Sequence, residues 1–139
     1  MVRCQAGNCE CRSSRGLSPA PRIVIGGGMH QLPPGLGRQL GRLGWQLHET
    51  MDASSARQIA RQIQPEVVVL STDSEGESAM LTCAKLRHEL PGTRIVMVGP
   101  DDEALQRFAR FAGATGYLDD SVPAESVIAS LHHELSIAC

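Results

Sequence analysis

In Pro65-Glu66-Val67-Val68-Val69-Leu70, the run Val67 to Leu70 is rich in β-branched residues and apolar at every position, and a proline that stops any helix stands before it. A strand apolar at alternate residues needs one covered face. A strand apolar throughout needs two, which a parallel sheet with helices on both sides supplies. Outward from this run the pattern changes to helical spacing. Upstream, Ala56, Ile59, Ala60 and Ile63 recur on one face behind a candidate cap at Asp52 or Ser54. Downstream, residues 78–90 place Ala79, Cys83, Leu86 and Leu90 on one stripe and stop before Pro91-Gly92.

The alternation continues to both ends. Arg22 to Gly26 reads as a first strand, and Leu36, Leu40 and Leu43 follow at helical spacing. Gly35, Gly37, Gly41 and Gly44 weaken that helix, an interior glycine costing about 1 kcal/mol against alanine. Trp45 to Glu49 reads as the second strand and Arg94 to Val98 as the fourth. In the fourth helix, after Asp101, Ala104, Leu105, Phe108, Phe111 and Ala112 fall within an arc of about 120°, which reads as its core face. Thr115 to Leu118 is the fifth strand. Pro123 then stands near the start of a last helix burying Ala124, Val127, Ile128, Leu131 and Leu135. Five strands alternating with five helices define a doubly wound α/β domain over residues 22–137. Residues 1–21, with Ser13, Ser14, Gly16, Ser18, Pro19 and Pro21 and no apolar period, read as a flexible arm.

The 139 residues suffice for one domain with a core, and the net charge of -2 argues against a general nucleic-acid or membrane-surface binder. The apolar runs fall far below the roughly 20 residues that cross a bilayer, and residues 1–21 lack the apolar stretch of a secretion signal. The expected location is the cytoplasm. Five cysteines, an odd number at scattered spacings, point to reduced thiols. Basic charge is almost all arginine, Lys85 being the sole lysine, a weak compositional pointer to a GC-rich bacterial genome.

Three segments resemble the response-regulator receiver family, the CheY-like domains, and especially its transcriptional-regulator branch. Arg22-Ile23-Val24-Ile25 resembles that family's first strand, and Pro65 to Leu70 its approach to the phosphoacceptor. Ala112-Gly113-Ala114-Thr115-Gly116-Tyr117-Leu118, followed by Ser121-Val122-Pro123-Ala124-Glu125, resembles its fifth strand and the start of its last helix. The resemblance implies a five-stranded parallel sheet in the order 2-1-3-4-5 and a role in two-component signalling or a phosphorelay.

Carried over residue by residue, the family's chemistry is missing. Its acidic pair falls on Gly27 and Gly28, its phosphoacceptor on Ser71, its hydroxyl after the fourth strand on Gly99, and its lysine after the fifth on Asp120. A shift of register by one rescues none of them. Tyr117, the aromatic of the family's switch region, is retained. Aspartyl phosphate forms where a divalent cation on several oxygen ligands offsets the charge of phosphoryl group and carboxylates. Glycines offer no ligand, and a carboxylate at Asp120 repels what a lysine attracts.

Asp73 lies two residues beyond the acceptor position and is an alternative phosphoacceptor, with Ser71 and Thr72 as hydroxyl alternatives; a solvated loop carboxylate is the simpler reading of Asp73. Asp73, Glu75, Glu77, Asp101, Asp102, Asp119 and Asp120 crowd the edge where strands end and ligands of open α/β sheets bind. They suit a cation or a basic partner, and capping of helix starts explains most of them. Gly26-Gly27-Gly28 admits an anion cradle, but neither the dinucleotide fingerprint nor a Walker lysine accompanies it. Cys4, Cys9 and Cys11 make three metal ligands of the four that structural zinc wants, so His30 or Cys139 would have to complete the set. Cys83 reads as core packing, and His132 and His133 as solvated residues near a helix end. No catalytic grouping is recognisable, so an enzyme is not expected, nor is a resident cofactor.

These readings converge on an atypical receiver that signals by binding another protein, without conventional aspartyl phosphorylation. By resemblance its interaction face is built from the fourth helix, fifth strand and fifth helix, with Arg107, Arg110 and Tyr117 as contributors and a homodimer as one assembly. The alternatives are a phosphorylatable two-component regulator using Asp73, Ser71 or Thr72, and a regulatory domain that binds a small ligand or metal.

Overall fold

The structure, a computed structural model, describes residues 20–27, 32–73 and 76–138. Five strands alternate with five helices: β1 (Arg22–Gly26), α1 (Leu36–Arg42), β2 (Gln46–Thr50), α2 (Ala53–Ile63), β3 (Val67–Ser71), α3 (Ala79–Glu89), β4 (Arg94–Gly99), α4 (Glu103–Phe111), β5 (Gly116–Asp119) and α5 (Ala124–Ala138). All strand pairs are parallel, in the order β2-β1-β3-β4-β5. The expected fold class and strand order are both present. Most of the proposed arm, with Cys4, Cys9 and Cys11, lies outside the described residues, as do Gly28, His30, Glu75 and Cys139.

β3 is central, and all five of its residues are buried. Its alternating side chains serve two cores. Val68 and Leu70 pack with Ala53, Ala56 and Ala60 of α2, Ala79, Cys83 and Leu86 of α3, and Ala109 of α4. Val67 and Val69 pack on the other face with Leu36 and Leu40 of α1 and Ala124, Val127 and Leu131 of α5. One strand apolar at every position therefore fixes a three-layer architecture.

Local chemistry sets the helix starts. Of the two candidate caps for α2, Asp52 does the work, its carboxylate accepting from the Ser55 N–H at 2.8 Å. That bond holds the Asp52 carboxyl below the usual carboxylate range. Ser78 caps α3, and Asp102, one residue beyond the expected start, caps α4 by accepting from the Ala104 and Leu105 N–H groups.

α4 departs from expectation in which side it buries. Ala109 is its buried residue, while Phe108 and Phe111 are 54% and 89% exposed. The docked side is rotated by about one residue, near 100°, from the arc that hydrophobicity marks. The small Ala109 side chain brings α4 close to the sheet, and a phenylalanine in its place would hold the helix away.

Candidate functional site

The carboxyl ends of β1, β3, β4 and β5 meet at one edge, and this edge gathers the positions the sequence singles out. Ile25 pairs with Val69 and Gly26 with Leu70, so Gly27 and Ser71 continue side by side past the paired residues. Ser71 pairs with Val98, and Gly99 with Asp119. The Asp120 N–H donates to the Gly99 carbonyl at 2.7 Å, and the Thr72 N–H to the Val98 carbonyl at 2.9 Å. Gly27, Ser71, Thr72, Gly99, Tyr117 and Asp120 thus form one cluster, and Gly28 lies outside the described residues.

The centre of this cluster is filled. Gly27 is buried at φ +125°, where side chains are rarely tolerated, and an added Cβ would stand 2.5 Å from the Ser71 Cβ. Ser71 is fully buried, and its hydroxyl accepts from the Asp73 N–H at 3.1 Å. Gly99 is buried too. A Cβ there would strike the Thr72 hydroxyl and lie 2.6 Å from the Tyr117 hydroxyl. Thr72 and Tyr117 thus occupy the space in front of β4.

The acidic residues at this rim have local work. Besides Asp102 at its cap, Asp101 accepts from the Gln106 amide at 3.3 Å, and Asp119 from the N–H and hydroxyl of Ser121 at 2.9 and 3.0 Å. Glu77 accepts from Lys85 at 2.6 Å and from the Thr82 hydroxyl at 2.5 Å. The Lys85 bond, then that of Thr82, holds the Glu77 carboxyl below its usual range. The sole lysine is therefore paired to the β3–α3 loop. Asp73 is exposed.

Tyr117 lies beneath this rim, its hydroxyl donating to the Pro100 carbonyl at 2.7 Å. Burial, with the surrounding charges of Asp120, Asp102, Asp119 and Asp101, raises its phenol above the ordinary value. Arg107 and Arg110 are exposed on α4, and Arg107 approaches Glu103 at 3.7 Å within the helix.

The donor set does not fit a divalent cation held in the receiver manner. Gly27 has no side chain, and the space one would need is taken by Ser71. Among the described residues no group of three or more histidines, cysteines or carboxylates is placed to hold a metal ion. A cleft of about 580 Å³ does open beside Gly27, but Leu32, Pro33, Pro34, Leu36 and Met51 make its lining largely apolar, and the acidic rim does not contribute. Among the described residues no helix is long and apolar enough to cross a membrane.

Sequence reasoning missed Glu134. It is 5% exposed on α5, and it accepts from the Thr115 hydroxyl at 2.9 Å. Its place seven residues after Val127, on the helix's apolar stripe, was the available signal.

This fold is that of the response-regulator receiver domain, the flavodoxin-like sheet with five flanking helices. Among solved structures, a CheY-like response regulator receiver domain protein from Methanospirillum hungatei matches with a TM-score of 0.79 at 15% identity, covering 86% of this chain and 96% of that one. The BeF3-activated N-terminal receiver domain of Klebsiella pneumoniae RstA matches at 0.70 and 22% identity, over 82% and 97%. A DNA-binding response regulator of the LuxR family from Staphylococcus aureus matches at 0.74 and 14% identity, over 83% and 98%. No protein-family model and no curated protein matches the chain.

Proposed function

We propose that this chain is a pseudo-receiver: a receiver-fold module that transmits a signal by binding a partner protein, without conventional phosphorylation of an aspartate. The observation that carries this reading is the packing of Gly27 against Ser71. A fully buried serine stands where the family's acceptor would be, beneath a glycine whose neighbouring space is closed to a carboxylate. The α4–β5–α5 side, with Arg107, Arg110 and Tyr117, is the contact surface, and the partner is a protein, with a second copy of the chain among the candidates. Fold likeness to bacterial and archaeal regulators supports a signalling role.

The test is an NMR amide titration of the purified protein with Mg²⁺ and then beryllofluoride, a mimic of the phosphoryl group. Unchanged amides at Gly27, Ser71 and Asp73 are expected. Saturable shifts there, spreading to Tyr117, would overturn the reading in favour of a phosphorylatable regulator.

A further inference from the structure

The cleft of about 580 Å³ beside Gly27 has the size of a small-molecule site, and like such sites it is apolar with a few polar groups. Ile25 and Leu36, each 3% exposed, are its most buried apolar residues, and Pro33, Pro34 and Met51 also line it. The sheet register explains its chemistry. Ile25 pairs with Glu49 in parallel strands, so both side chains leave the sheet on the face that α1 covers. Leu47, on the same face, packs against the core there, and at Glu49 the apolar series ends in a carboxylate.

Two charged side chains line the cleft, Glu49 and Arg38. The Glu49 carboxylate rests on α1 where Gly37 has no side chain, and a Cβ at that position would strike its Oε2. Among the described residues neither Glu49 nor Arg38 has an ion-pair or hydrogen-bond partner for its side chain, although Arg22, Arg57, Lys85 and Arg107 each pair with a carboxylate. Thr50 differs. Its hydroxyl lies within donating distance of the Ile25 and Asp52 carbonyls, at 3.0 and 3.1 Å, so its proton is engaged within the fold.

We propose that this cleft binds a small zwitterion with an apolar body, an α-amino acid of the leucine kind. Its ammonium meets Glu49, its carboxylate meets the Arg38 guanidinium, and its side chain lies over Ile25 and Leu36. An apolar amine would leave Arg38 facing a like charge, and an apolar carboxylate would do the same at Glu49. A molecule carrying both groups gives each side chain its opposite. Ser71, Gly99 and Asp120 do not line the cleft, so occupancy gives the domain an input that needs no phosphoryl group.

The test is an NMR amide titration of the full chain with three probes: leucine, isocaproate, which lacks the amine, and isoamylamine, which lacks the carboxylate. Leucine should give saturable shifts at Ile25, Leu36, Thr50 and Met51 by millimolar concentration. Each truncated probe should bind about tenfold or more weakly, the loss of one charge-assisted hydrogen bond. Glu49→Gln should weaken leucine without weakening isocaproate, and Arg38→Gln should weaken leucine without weakening isoamylamine. Both residues are exposed, so neither change threatens the fold. Absence of saturable shifts with leucine would overturn the proposal, as would a truncated probe that binds as tightly as leucine or leucine binding indifferent to either substitution. The Mg²⁺ and beryllofluoride titration is read at Ser71 and Asp73, outside the cleft, so the amino-acid site can fail while the pseudo-receiver reading stands.

Discussion

The Tyr117 hydroxyl donates to the Pro100 carbonyl at 2.7 Å, and the oxygen that makes this bond lies where a side chain on Gly99 would begin. The inward ring and the absent side chain are two halves of one arrangement. Gly99→Ser should therefore displace the Tyr117 ring and destabilise the protein by about 1–3 kcal/mol, the usual cost of overpacking. Urea unfolding measures the loss, and the tyrosine ring resonances report the displacement. In a background carrying Tyr117→Phe and Thr72→Ala the cost should shrink, since the obstructing atoms are gone; an equal cost there would show that the obstruction lies elsewhere.

Gly27→Asp places a carboxylate where the receiver family keeps one, and it should fail to build a cation site. Overpacking against Ser71 and a side chain at φ +125° should together cost at least roughly 2 kcal/mol. Thermal unfolding in the presence and absence of Mg²⁺ tests this. A variant as stable as wild type and stabilised further by Mg²⁺ would contradict it.

Cys83 gives a pH prediction. Burial in the α2–α3–α4 core pushes its thiol from 9.0 up to about 11. Between those values the unfolded chain has released the proton that the folded chain keeps, so stability falls as pH rises from about 9 through 11. Cys83→Ala should flatten that part of the pH–stability curve while lowering stability overall through the cavity it leaves. Iodoacetamide at neutral pH should leave Cys83 unmodified in the folded protein, by mass spectrometry of its peptide.

The Glu134–Thr115 contact predicts a cost for a change that looks conservative. The Thr115 hydroxyl lies within donating distance of both a Glu134 carboxylate oxygen, at 2.9 Å, and the Ile95 carbonyl, at 3.0 Å, and it accepts from the Ile95 N–H at 3.1 Å. Thr115→Val removes that donor from a buried carboxyl group and should destabilise by about 1–3 kcal/mol in urea unfolding. Adding Glu134→Leu should cost less than the sum of the two single changes, because both partners of the bond are then apolar.

The parallel sheet was legible because each strand announces itself. Val67 to Leu70 is apolar throughout; β1 has the bounds read in the sequence, and the other four strands differ from theirs by a residue at one end or both. Two kinds of information were not. The face that α4 buries depends on how closely the helix can approach the sheet, which is set by side-chain size at Ala109 and not by summed hydrophobicity. The closure of the candidate site depends on pairs such as Gly27 with Ser71 and Gly99 with Tyr117, 44 and 18 residues apart, and no periodicity within an element encodes them. The missing carboxylates were visible as letters. That their space had been taken was visible only in three dimensions.

That occupancy bears on how this sequence can change over generations. A carboxylate at position 27 meets Ser71 before it meets any cation, and a hydroxyl at position 99 meets Thr72 and Tyr117 before it meets any phosphoryl group. Each such substitution is expected to be harmful until its neighbour has moved, so their effects depend on order. Epistasis of this kind makes a single step toward a carboxylate at 27 or a hydroxyl at 99 costly and leaves the chain freer to drift along its surface than within this packed edge.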